Sequence, residues 1–493
     1  MHKIYDIAAE STVPFRNNAD FCVGTGRIGL ALHREYFEQL KLVQEQIGFR
    51  YIRGHGLFHE DMSILQRRFD GTIEYNFTYL DRVMDSYLEL NIRPFLELGF
   101  MPKAIASGQQ EVFYWGGNVT PPTDYRDWTN LVQATLRHLI DRYGEDEAVS
   151  FPIEVWNEPN LGGFWKDADR REYFRLFKET ILAVKELNPR FRVGGPSICG
   201  VDDVSWMTDF LDFVKAEKLP LDFVTRHLYT ISLPEQSGRY GYPTLRAIAE
   251  ATSETEGSRK IIDGYPEFKG MEMHVTEFNT SYSPRTPIHD TNLNAVYVAY
   301  LLSKLGDDNA SYSYWTFGDV FEEQGVPFTL FHGGFGLVAN GKIPKPTFYA
   351  FKFFKLLKGK SSAAGCVLRS DEIVVVKDGG TYRGVAWNLS SESAELELTL
   401  ASSAERCLTV QSVAPDTCNP LKLWHDMGEP AYPSEAQMEL LRQSAVPAVR
   451  SQRVSGCSVS LSLQPKELIY FELTPAPLTP DWGMDYARAE LAW

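Results

Sequence analysis

The chain has 493 residues, more than the roughly 250–300 over which a single hydrophobic core keeps growing, so at least two domains are expected. Its formal charge of −16, with no Lys/Arg-rich stretch, excludes nucleic acid and other polyanions as partners and leaves a small neutral molecule. No apolar run approaches the roughly 18 residues of a membrane span, which excludes a membrane partner as well.

Met1 to Asp6 lacks the apolar stretch of a signal peptide, and the six cysteines lie far apart with no Cys-x-x-Cys pair. A cytoplasmic location with reduced thiols follows, without a zinc site or a disulfide scaffold. The Asn-x-Ser/Thr triplets at Asn76, Asn118, Asn279, Asn309 and Asn388 are then chance. Gly24, Gly26 and Gly29 fit G-x-G-x-x-G, the dinucleotide pattern. The context is wrong for it: the preceding strand is short, the helix begins only near Arg34, and Glu45 falls inside that helix's periodic stretch. A tight loop is the better reading, and no cofactor is expected.

From about residue 20 to 360, short apolar segments alternate with amphipathic ones, as in βα units around a parallel sheet. Strands are predicted at 21–23, 49–53, 93–98, 153–155, 191–194, 222–225, 271–276 and 311–315. The intervening stretches have helical apolar spacing, such as Tyr36, Leu40, Val43 and Ile47, or Tyr173, Leu176, Phe177, Ile181 and Val184. Eight such units make a (β/α)₈ TIM barrel, assigned here to residues 16–345, with its site at the C-terminal ends of the strands. Residues 346–493 read as a C-terminal β-sandwich, which residues 1–15 are available to complete. Its strands are predicted at 372–377, 383–388, 395–400, 458–463 and 467–473, with a helix-like insertion at 434–442 and a loop-like tail from Pro475.

Two glutamates stand at strand ends. Glu158 follows Trp156 and Asn157 after the fourth strand, and Glu277 closes the seventh. In glycoside hydrolysis one carboxylic acid protonates the leaving oxygen while a second carboxylate attacks or activates water from the opposite face, and spacing alone does not say which is which. Polar and aromatic groups end other strands: Arg53 and His55, His227 and Tyr229, Tyr282, Trp315, and the adjacent acids Glu322 and Glu323. In a barrel these converge on one cleft with donors, acceptors and flat rings, the composition a carbohydrate site needs. His55 and His59 have the spacing of helical metal ligands, but Gly54 and Gly56 make a helix improbable there, so no metal is expected.

With these residues the chain resembles the β-xylosidases of glycoside hydrolase family 39. The resemblance runs from Cys22–Arg27 through Tyr51 to Gly56, Val155 to Asn160, Val275 to Asn279 and Phe331 to Gly336. It implies an exo-acting, retaining hydrolase of terminal β-xylose in which Glu158 is the general acid/base and Glu277 the nucleophile. It further implies that Asn157 bonds the sugar 2-hydroxyl and that His227, Tyr229 and Tyr282 orient the nucleophile and sugar. The Asp319 to Glu323 segment, with Arg53 and His55, would close the pocket around one terminal sugar, and Phe164 would wall the aglycone side. The partner implied is a small glycoside, and self-association into a homo-oligomer is allowed. The neighbouring activities are β-glucosidase, α-L-arabinosidase and iduronidase, or a non-catalytic carbohydrate-binding protein.

Overall fold

A computed structural model of the protein describes residues 2–8, 11–359, 361, 364–476 and 484–490. All eight predicted barrel strands form: Cys22–Arg27, Tyr51–His55, Arg93–Leu98, Ile153–Val155, Val193–Ile198, Phe223–Tyr229, Met273–Asn279 and Ser311–Tyr314. They pair in parallel in chain order, and the sheet closes where Ser313 and Tyr314 meet Cys22 and Val23. The fifth, sixth and seventh strands run three or four residues beyond their predicted ends. The extra residues include polar ones, Arg226, His227 and Glu277, that read as loop. They stay in the ladder because buried partners satisfy them, inside the barrel for His227 and Glu277 and on the surrounding helices, at Asp203, Glu254 and Ser258, for Arg226.

One irregularity sets the site. Arg226 pairs with Val275 but His227 pairs with Glu277, so Thr276 is an extra residue on the seventh strand. The bulge turns two consecutive side chains inward. Thr276 bonds Glu154 across the barrel (2.8 Å) and Glu277 bonds Arg53 (2.6 Å), while Phe278 points outward against Phe351. Without the extra residue, His227 would lie beside Thr276 rather than beside Glu277.

The floor of the barrel is aromatic, with Phe95 edge-on to Phe223 and both against His274. Most outer helices are amphipathic, as the predicted stripes require. Asn292–Lys304 and Pro346–Leu356 are instead apolar almost all round, because the barrel covers one side of them and the C-terminal sheets the other. Phe351 packs on Tyr314 of the barrel, and Phe353 stacks on Tyr470 of the sandwich. Truncating either ring would cost about 3–5 kcal/mol.

The sandwich pairs a six-stranded antiparallel sheet with a three-stranded one. The larger contains Gly365–Arg369, Ile373–Asp378, Thr381–Trp387, Leu468–Pro475, Arg406–Val413 and Ala448–Val454. The smaller contains Ala394–Thr399, Ser458–Leu463 and the N-terminal strand His2–Asp6. Strand alternation divides the larger sheet between two cores: Ile373 and Val375 face the smaller sheet, Val374 and Val376 face the barrel helices. The predicted insertion is the helix Glu435–Ser444, capped at Ser434 by a capping box with Gln437. The tail read as loop from Pro475 carries the short helix Tyr486–Glu490 and lies partly outside the described residues.

Candidate active site

Beneath the mouth of the barrel lies a buried polar layer centred on Arg53, which has no solvent exposure. Its guanidinium donates to Glu154 (2.6 Å), Glu277 (2.6 Å), Asn157 Oδ1 (2.9 Å) and Glu97 (2.9 Å). A cation in a dry interior is tolerated only when paired this fully. The carboxyls come from the third, fourth and seventh strands, at positions facing the axis, so one guanidinium ties three staves together. Burial pushes the Glu97 carboxyl up to about 8, with Arg53 pulling the other way. Burial likewise drives the His55 imidazole down to about 3, which makes it neutral; its Nδ1 meets Glu97 at 2.7 Å and its ring stacks on Phe113.

Glu158 stands on a tight turn. Trp156 (φ 74°) and Glu158 (φ 44°) both occupy the left-handed region, which costs non-glycine residues of order 1–3 kcal/mol each. Anchors on both sides hold the turn: the buried Trp156 indole donates to the Phe164 carbonyl (2.7 Å) and the Glu158 amide to the Ser197 carbonyl (2.9 Å). His227 links the two glutamates. Its Nδ1 is 2.8 Å from Glu158 Oε1 and 3.4 Å from Glu277 Oε2, while its Nε2 faces Arg53 and the Ser197 hydroxyl. Arginine only donates, so Nε2 accepts and the proton sits on Nδ1, aimed at the carboxyls. Burial, reinforced by Arg53, keeps this imidazole neutral.

The two carboxyls bring an oxygen each within 4.8 Å of the other, yet their surroundings differ. Burial raises both. Glu158 is raised far above the usual range because the negative charge of Glu277 adds to burial and no cation touches it. Glu277 is raised less, since Arg53 is in contact and the Tyr229 hydroxyl donates to it at 2.7 Å. Between the two, the proton belongs to Glu158. Glu158, His227 and Glu277 are also the described residues closest to a metal-ligand set, but a cation among them would sit against the Arg53 charge.

Above the pair opens a cavity of about 350 Å³. Of the residues singled out in the sequence, His55, Asn157, Glu158, Phe164, Tyr229, Glu277, Tyr282, Trp315 and Glu323 line it. Arg53 and His227 lie under the wall, fully buried, and Glu322 turns away to Arg27 (2.7 Å). The Glu323 carboxyl faces the cavity with one oxygen buried and without a hydrogen-bond partner; burial and the charge of Glu277 hold it well above the usual range. Sequence reasoning missed Glu97 and Glu154, although acids at axis-facing positions of apolar strands are a signal that period-two reading can find. Phe113 and Arg246, from loops, and Glu254, from the first turn of the helix Ser253–Asp263, also line the cavity without any such signal.

The glycines at 24, 26 and 29 have steric reasons. A Cβ at Gly24 would lie 2.4 Å from the Trp315 ring, one at Gly26 would meet Phe321 at 2.8 Å, and one at Gly29 would meet Asp61 at 2.2 Å. His59 pairs with Asp61 and not with His55.

Residues 2–459 match the family model described as glycosyl hydrolases family 39. A β-xylosidase of Geobacillus stearothermophilus is 47% identical over 98% of each chain, and one of Caldicellulosiruptor saccharolyticus is 33% identical over 92% of each. The crystal structure of a monomeric β-xylosidase from Caulobacter crescentus superposes with a TM-score of 0.88 at 31% identity, covering 96% of this chain and 100% of that one.

Proposed function

The chain belongs to glycosyl hydrolase family 39, and on that premise we propose that it is a retaining, exo-acting β-xylosidase that removes terminal β-D-xylose from xylo-oligosaccharides. The observation that carries the reading is that one carboxyl oxygen of Glu158 and one of Glu277 lie within 4.8 Å of each other. Retaining enzymes hold the pair about 5–5.5 Å apart, and inverting ones about 6.5–9.5 Å to admit a water.

In the first step the Glu277 carboxylate attacks the anomeric carbon as Glu158 gives its proton to the departing glycosidic oxygen. The C1–O bond breaks and a glycosyl ester on Glu277 remains. Ester formation removes the Glu277 charge, so the Glu158 carboxyl loses the main electrostatic reason for its high proton affinity. It then takes a proton from water, whose oxygen attacks C1 and releases Glu277. Asn157, held by Arg53, bonds the 2-hydroxyl, a contact that strengthens in the oxocarbenium-like transition state. Tyr229 and His227 fix the nucleophile, while His55, Trp315, Tyr282 and Glu323 receive the sugar.

Exo action is supported by loops joined across one end of the cavity. The Tyr114 amide donates to the Glu323 carbonyl (2.8 Å), and Arg27 bridges Asp61 and Glu322 (3.1 and 2.7 Å). A xylosidase is favoured over an iduronidase because a substrate carboxylate would need a free cation at the sugar end. There Arg53 is consumed and His55 is neutral. The six unpaired cysteines fit a reducing, cytoplasmic setting, and the reaction fits xylan breakdown. Among the described residues no helix is long and apolar enough to cross a membrane. Apolar side chains exposed near the mouth, such as Val326 and Phe328, are compatible with a homo-oligomer, which sedimentation would test.

The deciding experiment compares aryl β-D-xyloside and aryl β-D-glucoside, with azide added to Glu158→Ala and Glu277→Ala. Preference for the xyloside, with β-xylosyl azide from Glu158→Ala and α-xylosyl azide from Glu277→Ala, is expected. A wild type inactive on both, or variants as active as wild type, would overturn the reading.

A further inference from the structure

The proposed chemistry assigns sides to the cavity. The proton donor must face the departing oxygen, so the leaving group lies toward Glu158. Residues on that side come from the loops after the fourth, fifth and sixth strands, which are neighbouring staves of the barrel: Leu161, Phe164, Val201, Ile231 and Leu233, together with Arg246. The sugar-holding groups His55, Glu277, Tyr282, Trp315 and Glu323 come from the second, seventh and eighth strands and the loops that follow them.

Among the described residues Arg246 is the only lysine or arginine lining the cavity, and its surroundings do not account for it as a structural residue. Its side chain is 31% exposed and pairs through Nη1 with Glu254. No partner of its Nε and Nη2 is found among the described residues. Glu254 does not require it: the fully buried Arg226 already donates to Glu254 at 2.6 Å, backed by Asp203 at 3.0 Å. The brace is rigid on every side. A Cβ at Gly200 would lie 2.8 Å from the Glu254 carboxyl, the Arg246 amide donates to the Thr230 carbonyl (2.9 Å), and Tyr297 donates to the Arg246 carbonyl (3.0 Å). A guanidinium is thus fixed at the cavity with spare donors, beside an apolar rim on which Val201 is 54% and Leu233 87% exposed. Pyranoses match that surface, presenting C–H faces to apolar side chains and hydroxyls to a planar donor.

We propose that Arg246, braced by Glu254, is the specificity-determining contact for the leaving group, donating to hydroxyls of a departing sugar whose C–H face lies on the apolar rim. The inference rests on the retaining xylosidase reading and extends it to the residue that makes a departing sugar preferred over an aryl or alkyl aglycone.

The test measures kcat/KM on xylobiose and on an aryl β-xyloside for wild type, Arg246→Ala, Arg246→Met and Arg246→Lys, with a melting curve for each. The xylobiose-to-aryl ratio is expected to fall about tenfold or more in Arg246→Ala and Arg246→Met, the scale of a lost charged hydrogen bond. Arg246→Lys should recover part of the ratio. An unchanged ratio, whether both substrates fall together or neither does, overturns the proposal. Should Arg246→Ala and Arg246→Met not fold, Arg246→Lys decides: loss of the planar fork must lower its ratio below that of wild type. A wild type inactive on both substrates fails the parent reading first, and is thereby distinguished.

Discussion

The two halves of the site contain the same side chain in opposite company. Under Glu277 the barrel packs a cation: Arg53 at 2.6 Å, shared with Glu97 and Glu154, and a tyrosine hydroxyl at 2.7 Å. Around Glu158 no cation among the described residues is in contact, only a neutral imidazole at 2.8 Å and a strained turn. Both carboxyls are buried. What separates them is where the fold places the buried Arg53, so in the proposed mechanism acid and nucleophile are set by the strands beneath and not by the two glutamates themselves.

The largest effects test that division directly. Glu277→Ala should lower kcat/KM on an aryl β-xyloside by about 10⁶-fold, the scale of a lost nucleophile. Glu158→Ala should cost about 10²- to 10⁴-fold, and least for leaving groups that need no proton. Wild type should give a bell-shaped pH profile. Activity falls as pH rises through the raised value of Glu158 and falls again as pH drops far enough to protonate Glu277. Glu158→Gln should remove the alkaline limb. Equal losses in the two alanine variants across leaving groups would erase the distinction.

Arg53→Met breaks the division at its source. Three buried carboxyls lose their cation, which should cost about 3–5 kcal/mol of stability, read by denaturant unfolding. Any folded variant should show its acid limb moved to higher pH, because Glu277 loses the contact that holds its proton affinity down. A stable variant with an unmoved acid limb would mean that Arg53 does not set the difference.

How much of this could be read beforehand depends on what each element presents to its neighbours. Barrel strands buried on both faces are short apolar runs, and all eight were legible as such. The polar continuations at residues 226–229 and 277–279 were not, because their partners lie on other strands and on the outer helices, far away in sequence. Ala448–Val454 shows the other failure: an almost wholly exposed edge strand has no apolar face and so no period to detect. In the site, residues at strand ends were legible. Glu97 and Glu154 are legible only as acids that interrupt apolar strands at axis-facing positions, and the Thr276 bulge that sets Glu277 beside His227 leaves no mark in composition.

Tyr229→Phe sharpens the comparison more gently. The hydroxyl donates to Glu277 and stabilises its ionised form, so its loss should raise the Glu277 carboxyl and shift the acid limb upward. A drop of about tenfold in kcat/KM should accompany the shift, the lower end for a hydrogen bond to a charged group. The alkaline limb, which belongs to Glu158, should move less.

The smallest effect is expected at Glu97, and it asks whether Arg53 carries all three carboxyls as anions. With its carboxyl pushed up to about 8 by burial, Glu97 is already protonated at neutral pH. One oxygen takes hydrogen bonds from Arg53 and His55 while the other has no partner, so a proton there is replaced atom for atom by the amide of glutamine. Glu97→Gln should therefore stay within about 1 kcal/mol of wild-type stability near pH 6. The sign of its pH dependence is fixed as well. A carboxyl raised on folding binds more protons in the folded state, so its contribution is complete below the ordinary carboxylate range and is lost as pH rises toward 8. The variant has no such group, and should gain on wild type between pH 5 and about 8, measured by denaturant unfolding at each pH. A variant that instead loses ground as pH rises would place a negative charge on Glu97, and Arg53 would then be shared among three anions with correspondingly less to give Glu277.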